Sequence, residues 1–159
     1  MELPDKNTTC CFTGHRYIEN NLNQNVYNRL CHTVQKLAGE GITTFISGGA
    51  LGFDTMAAQA VLALRKQNSN VRLIVITPCR DQHKLWSESD KEIYRGILSV
   101  CDELVCLNDA YCTGCMHQRN RLMVELSSVC IAYFNGQRGG TAHTINLARQ
   151  QGLRLINLA

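Results

Sequence analysis

Two of the 159 residues are proline and one is tryptophan, and aromatic residues make up only 6% of the chain. Charged residues are also sparse, at 18%, and the formal net charge is +3. A charge that small gives no ground for a nucleic-acid partner by itself. No apolar run approaches membrane-spanning length, so no membrane partner is expected. The chain begins Met1-Glu2-Leu3-Pro4-Asp5, with no basic segment leading into an apolar one, so no secretory signal is expected. Repeats, low-complexity tracts and long linkers are missing too. The 45% apolar content and the length fit one domain, residues 1–159, with a proper core, and only about the first seven residues look untethered.

Cysteine is abundant, with nine residues. Cys10, Cys11, Cys106 and Cys130 fall within expected strands, where a free thiol acts as a small apolar side chain. Together with the odd count, this points to a reducing, cytoplasmic setting. Cys112-Thr113-Gly114-Cys115 is a single close CxxC whose upstream partners, Cys101 and Cys106, have the wrong spacing for a zinc site, so no metal is expected.

Short apolar runs alternate with helical patterns from end to end. The runs predict strands at Thr9–Thr13, Thr43–Ser47, Arg72–Thr77, Glu103–Leu107, Val129–Phe134 and Arg154–Leu158. Several are continuously apolar, as in a parallel sheet covered on both faces. Helices are predicted near Asn21–Ala38, Phe53–Gln67, Lys84–Val100, Cys115–Ser127 and Thr141–Gln151; in the first, Leu22, Val26, Leu30, Val34 and Leu37 keep one apolar face. This alternation predicts an α/β fold, a Rossmann-like doubly wound, mainly parallel six-stranded sheet with helices on both faces. Ligands bind such sheets outside the carboxyl ends of the strands, where the strand order reverses.

Three strand ends carry chemistry at that edge. The first is Thr13-Gly14-His15-Arg16: Gly14 permits close approach, Arg16 offers a planar fork for phosphate or carboxylate, and His15 suits ligand contact or proton transfer. The same residues also suit a solvated surface turn. The second is Ser47-Gly48-Gly49-Ala50-Leu51-Gly52-Phe53-Asp54, a glycine-rich turn between a strand and a helix that presents backbone N–H groups and a positive helix end to an anion. Asp54 either caps the helix or meets a ribose hydroxyl, since a carboxylate repels phosphate. Tight strand-to-helix packing is the alternative to an anion cradle for the same glycines. The turn is not a GxGxxG fingerprint and implies no dinucleotide cofactor. The third is Gly139-Gly140-Thr141, with the same logic, Thr141 serving as an anion contact or a plain N-cap. Arg119, near the start of the fourth helix, is disfavoured there by the helix dipole unless an anion rewards it. Trp86 and Gln82 follow the third strand; the tryptophan reads better as core or lid than as a base-stacking group.

Taken in order, these segments, with Gly114-Cys115-Met116-His117-Gln118-Arg119-Asn120-Arg121, resemble the YpsA-like branch of the SLOG superfamily, which links the Smf/DprA proteins to the Lonely Guy proteins. The resemblance covers almost the whole chain. It implies a Rossmann-like fold, a pocket for a nucleotide-derived ligand, a role as sensor of or enzyme on such a ligand, and a homo-oligomer. Met116-His117-Gln118-Arg119 is similar to the Lonely Guy Met-His-x-Arg segment, so Arg119 carries over as a phosphate- or ribose-facing arginine. Ile145 stands where those enzymes have their catalytic glutamate and Asn120 where they have a lysine, which puts N-glycosidic hydrolysis in doubt. Ser47–Asp54 resembles the DprA turn, but single-strand binding calls for a cationic groove with stacking aromatics, and nucleic acid ranks last among the partners. The expectation is a small-molecule nucleotide derivative held by Gly14, His15, Arg16, Ser47, Gly48, Gly49, Gly52, Asp54, Arg119, Gly139, Gly140 and Thr141, with Asp54 and Arg119 as the candidates for any catalysis and no cofactor.

Overall fold

The computed structural model describes residues 2–159. Six strands form one wholly parallel sheet: β1 (Thr9–Gly14), β2 (Thr44–Ser47), β3 (Arg72–Thr77), β4 (Glu103–Cys106), β5 (Val129–Tyr133) and β6 (Arg154–Asn157). The connecting helices are α1 (Asn20–Gly39), α2 (Phe53–Arg65), α3 (Glu88–Val100), α4 (Cys115–Glu125) and α5 (Gly140–Gln150). The strand order is β4-β3-β2-β1-β5-β6. The chain therefore runs from the centre to one edge, then returns to pair β5 with β1. That reversal opens a crevice between the carboxyl ends of β1 and β5.

Alternate residues of each strand feed two cores. Phe12, Phe45, Leu73 and Ile131 pack with Val26, Leu30, Phe53, Val61 and Ile97 from the α1–α3 side. Cys11, Ile46, Ile74, Ile76 and Cys130 pack with Met123, Val124 and Ala148 from the α4–α5 side. Burial on both faces is why the inner strands read as unbroken apolar runs. The edge strand β4 differs: Leu104 and Cys106 are exposed. Cys106 is thus a surface thiol, against the expectation of burial, because β4 has no outer neighbour to cover it.

The third helix starts four residues later than expected. Ser87 caps it by accepting the Asp90 amide at 3.2 Å, with Glu88 and Asp90 in the first turn, while the residues between Pro78 and Ser87 form turns. Near the N-terminus Lys6–Thr8 form a 3-10 turn, tied down where the Thr9 hydroxyl donates to the Asp5 carbonyl at 2.7 Å. Among the described residues no helix is long and apolar enough to cross a membrane.

Candidate functional site

A cavity of about 360 Å³ sits at the crevice where the strand order reverses. The end of β1 supplies Thr13, Gly14, His15 and Arg16. The turn after β2 supplies Ala50 and Asp54, and α4 supplies Met116, Arg119 and Asn120. The far wall is Arg138, Gly139, Gly140 and Thr141, where the chain leaving β5 enters α5. No side chain caps the start of α5; its N-cap is Gly139, with φ +143°. Its first amides therefore lack an internal acceptor and form the positive end of the helix dipole.

Arg119 is the centrepiece. It is 4% exposed, yet it lines the cavity. Its Nη1 donates to the Gly48 carbonyl at 2.6 Å, and its Nε donates to Asn120 Oδ1 at 2.7 Å. Nη2 lies 3.7 Å from the Met116 sulfur. These contacts fix the guanidinium plane in the wall of the cavity. Burial works against its positive charge, and Asp54 opposes that effect. The two side chains meet over Gly48: a Cβ built there would stand 2.5 Å from Arg119 Nη1 and 2.8 Å from Asp54 Oδ2.

Asp54 is 7% exposed and accepts the Ala50 amide at 3.4 Å. Burial pushes its carboxyl up to about 6, against the pull of Arg119, the Ala50 amide and Arg16. It therefore titrates near neutrality. His15 is fixed by a different contact, its Nε2 accepting the Asn135 amide at 3.1 Å, which makes that nitrogen the unprotonated one. Arg16 is exposed, with Nη2 4.0 Å from the Met116 sulfur.

The structure brings together Gly14, His15, Arg16, Asp54, Arg119, Gly139, Gly140 and Thr141 on one cavity. Ser47, Gly48, Gly49 and Gly52 do not line it. Ser47 donates to the Asp54 carbonyl at 2.9 Å and accepts the Gly49 amide at 3.2 Å. Gly48 and Gly49 are buried beneath, and the Gly48 carbonyl also accepts from Gln82 Nε2 at 3.3 Å. Gly52, with φ +77°, packs against the backbone carbonyl of Arg16. This turn is closed by its own contacts, so it shapes the site from behind. Gln82 is likewise turned inward, donating to Tyr94 Oη at 3.1 Å, and Trp86 packs edge-on to Tyr94 at 5.1 Å.

Arg138 was missed by the sequence reading, although it precedes a helix start and an arginine there is rewarded by an anion for the reason already given for Arg119. Asn120 and Met116, noticed only as parts of a motif, orient that guanidinium. A second cleft of about 450 Å³ runs between α1 and α2, lined by Tyr27, Met56 and Gln59 among others, and holds no cationic side chain. Size alone does not make it the better candidate.

The YpsA model, described as the YspA SLOG family, matches residues 10–153. The chain belongs to that family. It is 30% identical over 118 residues to the uncharacterized SPbeta prophage-derived protein YoqJ of Bacillus subtilis, covering 67% of this chain and 69% of the relative. It is 30% identical over 107 residues to a UPF0398 protein of Bacillus pumilus, covering 66% and 58%. Among solved structures it is similar to the DNA processing protein A from Helicobacter pylori, studied for its single-stranded DNA binding mode: TM-score 0.67 at 21% identity, over 98% of this chain and 66% of that one. Each match leaves a good part of the other protein uncovered, and at that identity the last one speaks for the fold.

The last comparison corrects one expectation. Nucleic acid was set aside as a partner for want of net charge and aromatic residues. The fold of nearly the whole chain is, however, that of a protein that binds single-stranded DNA. A total of +3 also says nothing of where the charge lies: three arginines line one crevice. Ile145, which the resemblance places where the Lonely Guy proteins have their glutamate, is 1% exposed, a core residue of α5.

Proposed function

We propose that this family member binds a nucleotide-derived ligand, such as a nucleotide, an ADP-ribose-like molecule or a nucleotide sugar, with its phosphate in the crevice between β1 and β5. One observation carries this. Arg16, Arg119, Arg138 and the uncapped start of α5 surround one cavity, against the single carboxylate of Asp54. Such a cavity favours an anion of phosphate size on both charge and hydrogen-bond grounds. Calorimetric titration with AMP, ADP-ribose and NAD tests it. At least one of the three binds the native protein, and Arg138→Ala, a change at an exposed side chain, weakens that binding about tenfold. No binding, or binding indifferent to Arg138→Ala, refutes the assignment.

A second reading is single-stranded DNA, supported by the fold shared with DNA processing protein A. A crevice that holds the phosphate of a free nucleotide also suits one in a strand. A steeply salt-dependent shift of single strands in a gel that excess AMP does not reverse would favour the strand. Lonely Guy-type hydrolysis has no comparable support. The glutamate it uses is replaced by a buried isoleucine, and Asp54 approaches the cavity from another element.

A further inference from the structure

Beside the phosphate cavity lies a third cleft, of about 600 Å³, that shares His15 and Arg16 with it. Its lining has a different chemistry. Tyr17, Tyr133, Asn135 and Gln137 face it, and Ile18 and Leu22 add apolar surface. Arg16 is its one permanent cation, and Glu19 is its carboxylate. That balance disfavours a second phosphate and suits a flat, neutral group.

The walls are unequally rigid. The Tyr133 ring lies against Phe53 at 6.0 Å and edge-on to His15 at 6.1 Å, so it is held on two sides. His15 is itself pinned by the Asn135 amide. Tyr17 is 75% exposed, an aromatic face presented to solvent at the mouth of the cleft. Asn135 Oδ1 accepts the Gln137 amide at 3.1 Å, so Nδ2 is the remaining donor of this cleft-lining side chain.

We propose that this cleft is a nucleobase subsite, with the base stacked on Tyr17 and bonded by the Asn135 side-chain amide while its phosphate lies toward Arg119 and Arg138. This rests on the phosphate assignment above and adds a direction to it: His15 and Arg16 mark the ribose, between the two clefts. Stacking tolerates any base, and every base offers an acceptor to Asn135 Nδ2, so the cleft detects a base without selecting one. The nucleotide can be free or one unit of a single strand.

The test titrates ribose 5-phosphate, AMP and a short single-stranded oligodeoxynucleotide into native protein, Tyr17→Ala and Tyr17→Phe at low ionic strength. AMP should bind about tenfold more tightly than ribose 5-phosphate. Tyr17→Ala should remove that advantage, Tyr17→Phe should keep it, and neither should change ribose 5-phosphate binding. Two results overturn the subsite and leave the phosphate site standing: equal binding of AMP and ribose 5-phosphate, or an equal loss for both in Tyr17→Ala. If only the oligonucleotide binds, and depends on Tyr17, the subsite stands and its base comes from a strand. If none of the three binds, subsite and phosphate site fall together.

Discussion

The two glycine-rich turns of this chain look alike in sequence and behave differently in the fold. After β2, the turn through Gly48, Gly49 and Gly52 is closed: its carbonyl is taken by Arg119 and Gln82, its amide by Ser47, and its outer surface by the chain leaving β1. After β5, a Cβ placed on Gly136, Gly139 or Gly140 would meet no atom within 4 Å, and no side chain caps the helix that follows. A strand–glycine–helix pattern therefore announces free amides only where nothing else in the chain claims the space. In the first turn the claimant is Arg119, the residue that makes the second turn useful by placing a cation opposite it.

The largest expected effect lies in the closed turn. Gly52→Ala forces a side chain into a left-handed backbone position and against the Arg16 carbonyl. It should cost about 4 kcal/mol, adding backbone strain to overpacking, read as a fall in the urea unfolding midpoint. Tolerance of this change would mean that the turn is not sealed. Arg119→Met comes next, at about 3 kcal/mol, because it removes a charged donor from the buried Gly48 carbonyl and takes from Asp54 the stronger of the two cations that act on it. It should also abolish phosphate binding in protein that circular dichroism shows to be folded at the temperature of titration.

Asp54 connects the two turns electrostatically, and pH reads that connection. Its folded carboxyl titrates at about 6, above the ordinary value of 3.8. The folded state therefore holds the proton more tightly than the unfolded one. Stability from this group is complete below about pH 4 and is lost as pH rises through 6, by about 2–3 kcal/mol. The difference in stability between Asp54→Asn and the native protein should change by that amount between pH 4 and pH 7. Ligand binding should follow the same proton. ADP-ribose, whose pyrophosphate does not titrate in this range, should bind more tightly at pH 5.5 than at pH 7.5, and Asp54→Asn should flatten the trend.

Much of this was legible in the sequence because burial on both faces of a parallel sheet writes unbroken apolar runs. The expected Arg72–Thr77 strand matches β3, and the other expected strands differ from the observed ones by one residue at an end. What the runs do not write is strand order, so the edge position of β4 and the exposure of Cys106 were hidden. Arg119 was legible because a cation near a helix start is out of place on local grounds. Its bond to Gly48 spans 71 positions, and no local signal carries a contact of that range. The start of α3 at Glu88 rather than Lys84 rests on Ser87, a serine three residues before Asp90 whose side chain accepts the Asp90 amide.

The smallest effect on stability belongs to the open turn and is the most discriminating. Gly140 is the first residue of α5, its φ is not left-handed, and a methyl group there meets no atom within 4 Å. Gly140→Ala should therefore keep the unfolding midpoint or raise it slightly, by about 0.4–1 kcal/mol, through a less flexible unfolded chain. The same methyl stands where an anion would approach the first amides of the helix, so phosphate binding should weaken. Loss of binding without loss of stability is the reverse of the balance expected at Gly52, and it separates a turn that receives a ligand from one that holds the fold together. Should Gly140→Ala bind as well as the native protein, the amides of α5 are not what the phosphate touches, and Arg119 and Arg138 must hold it alone.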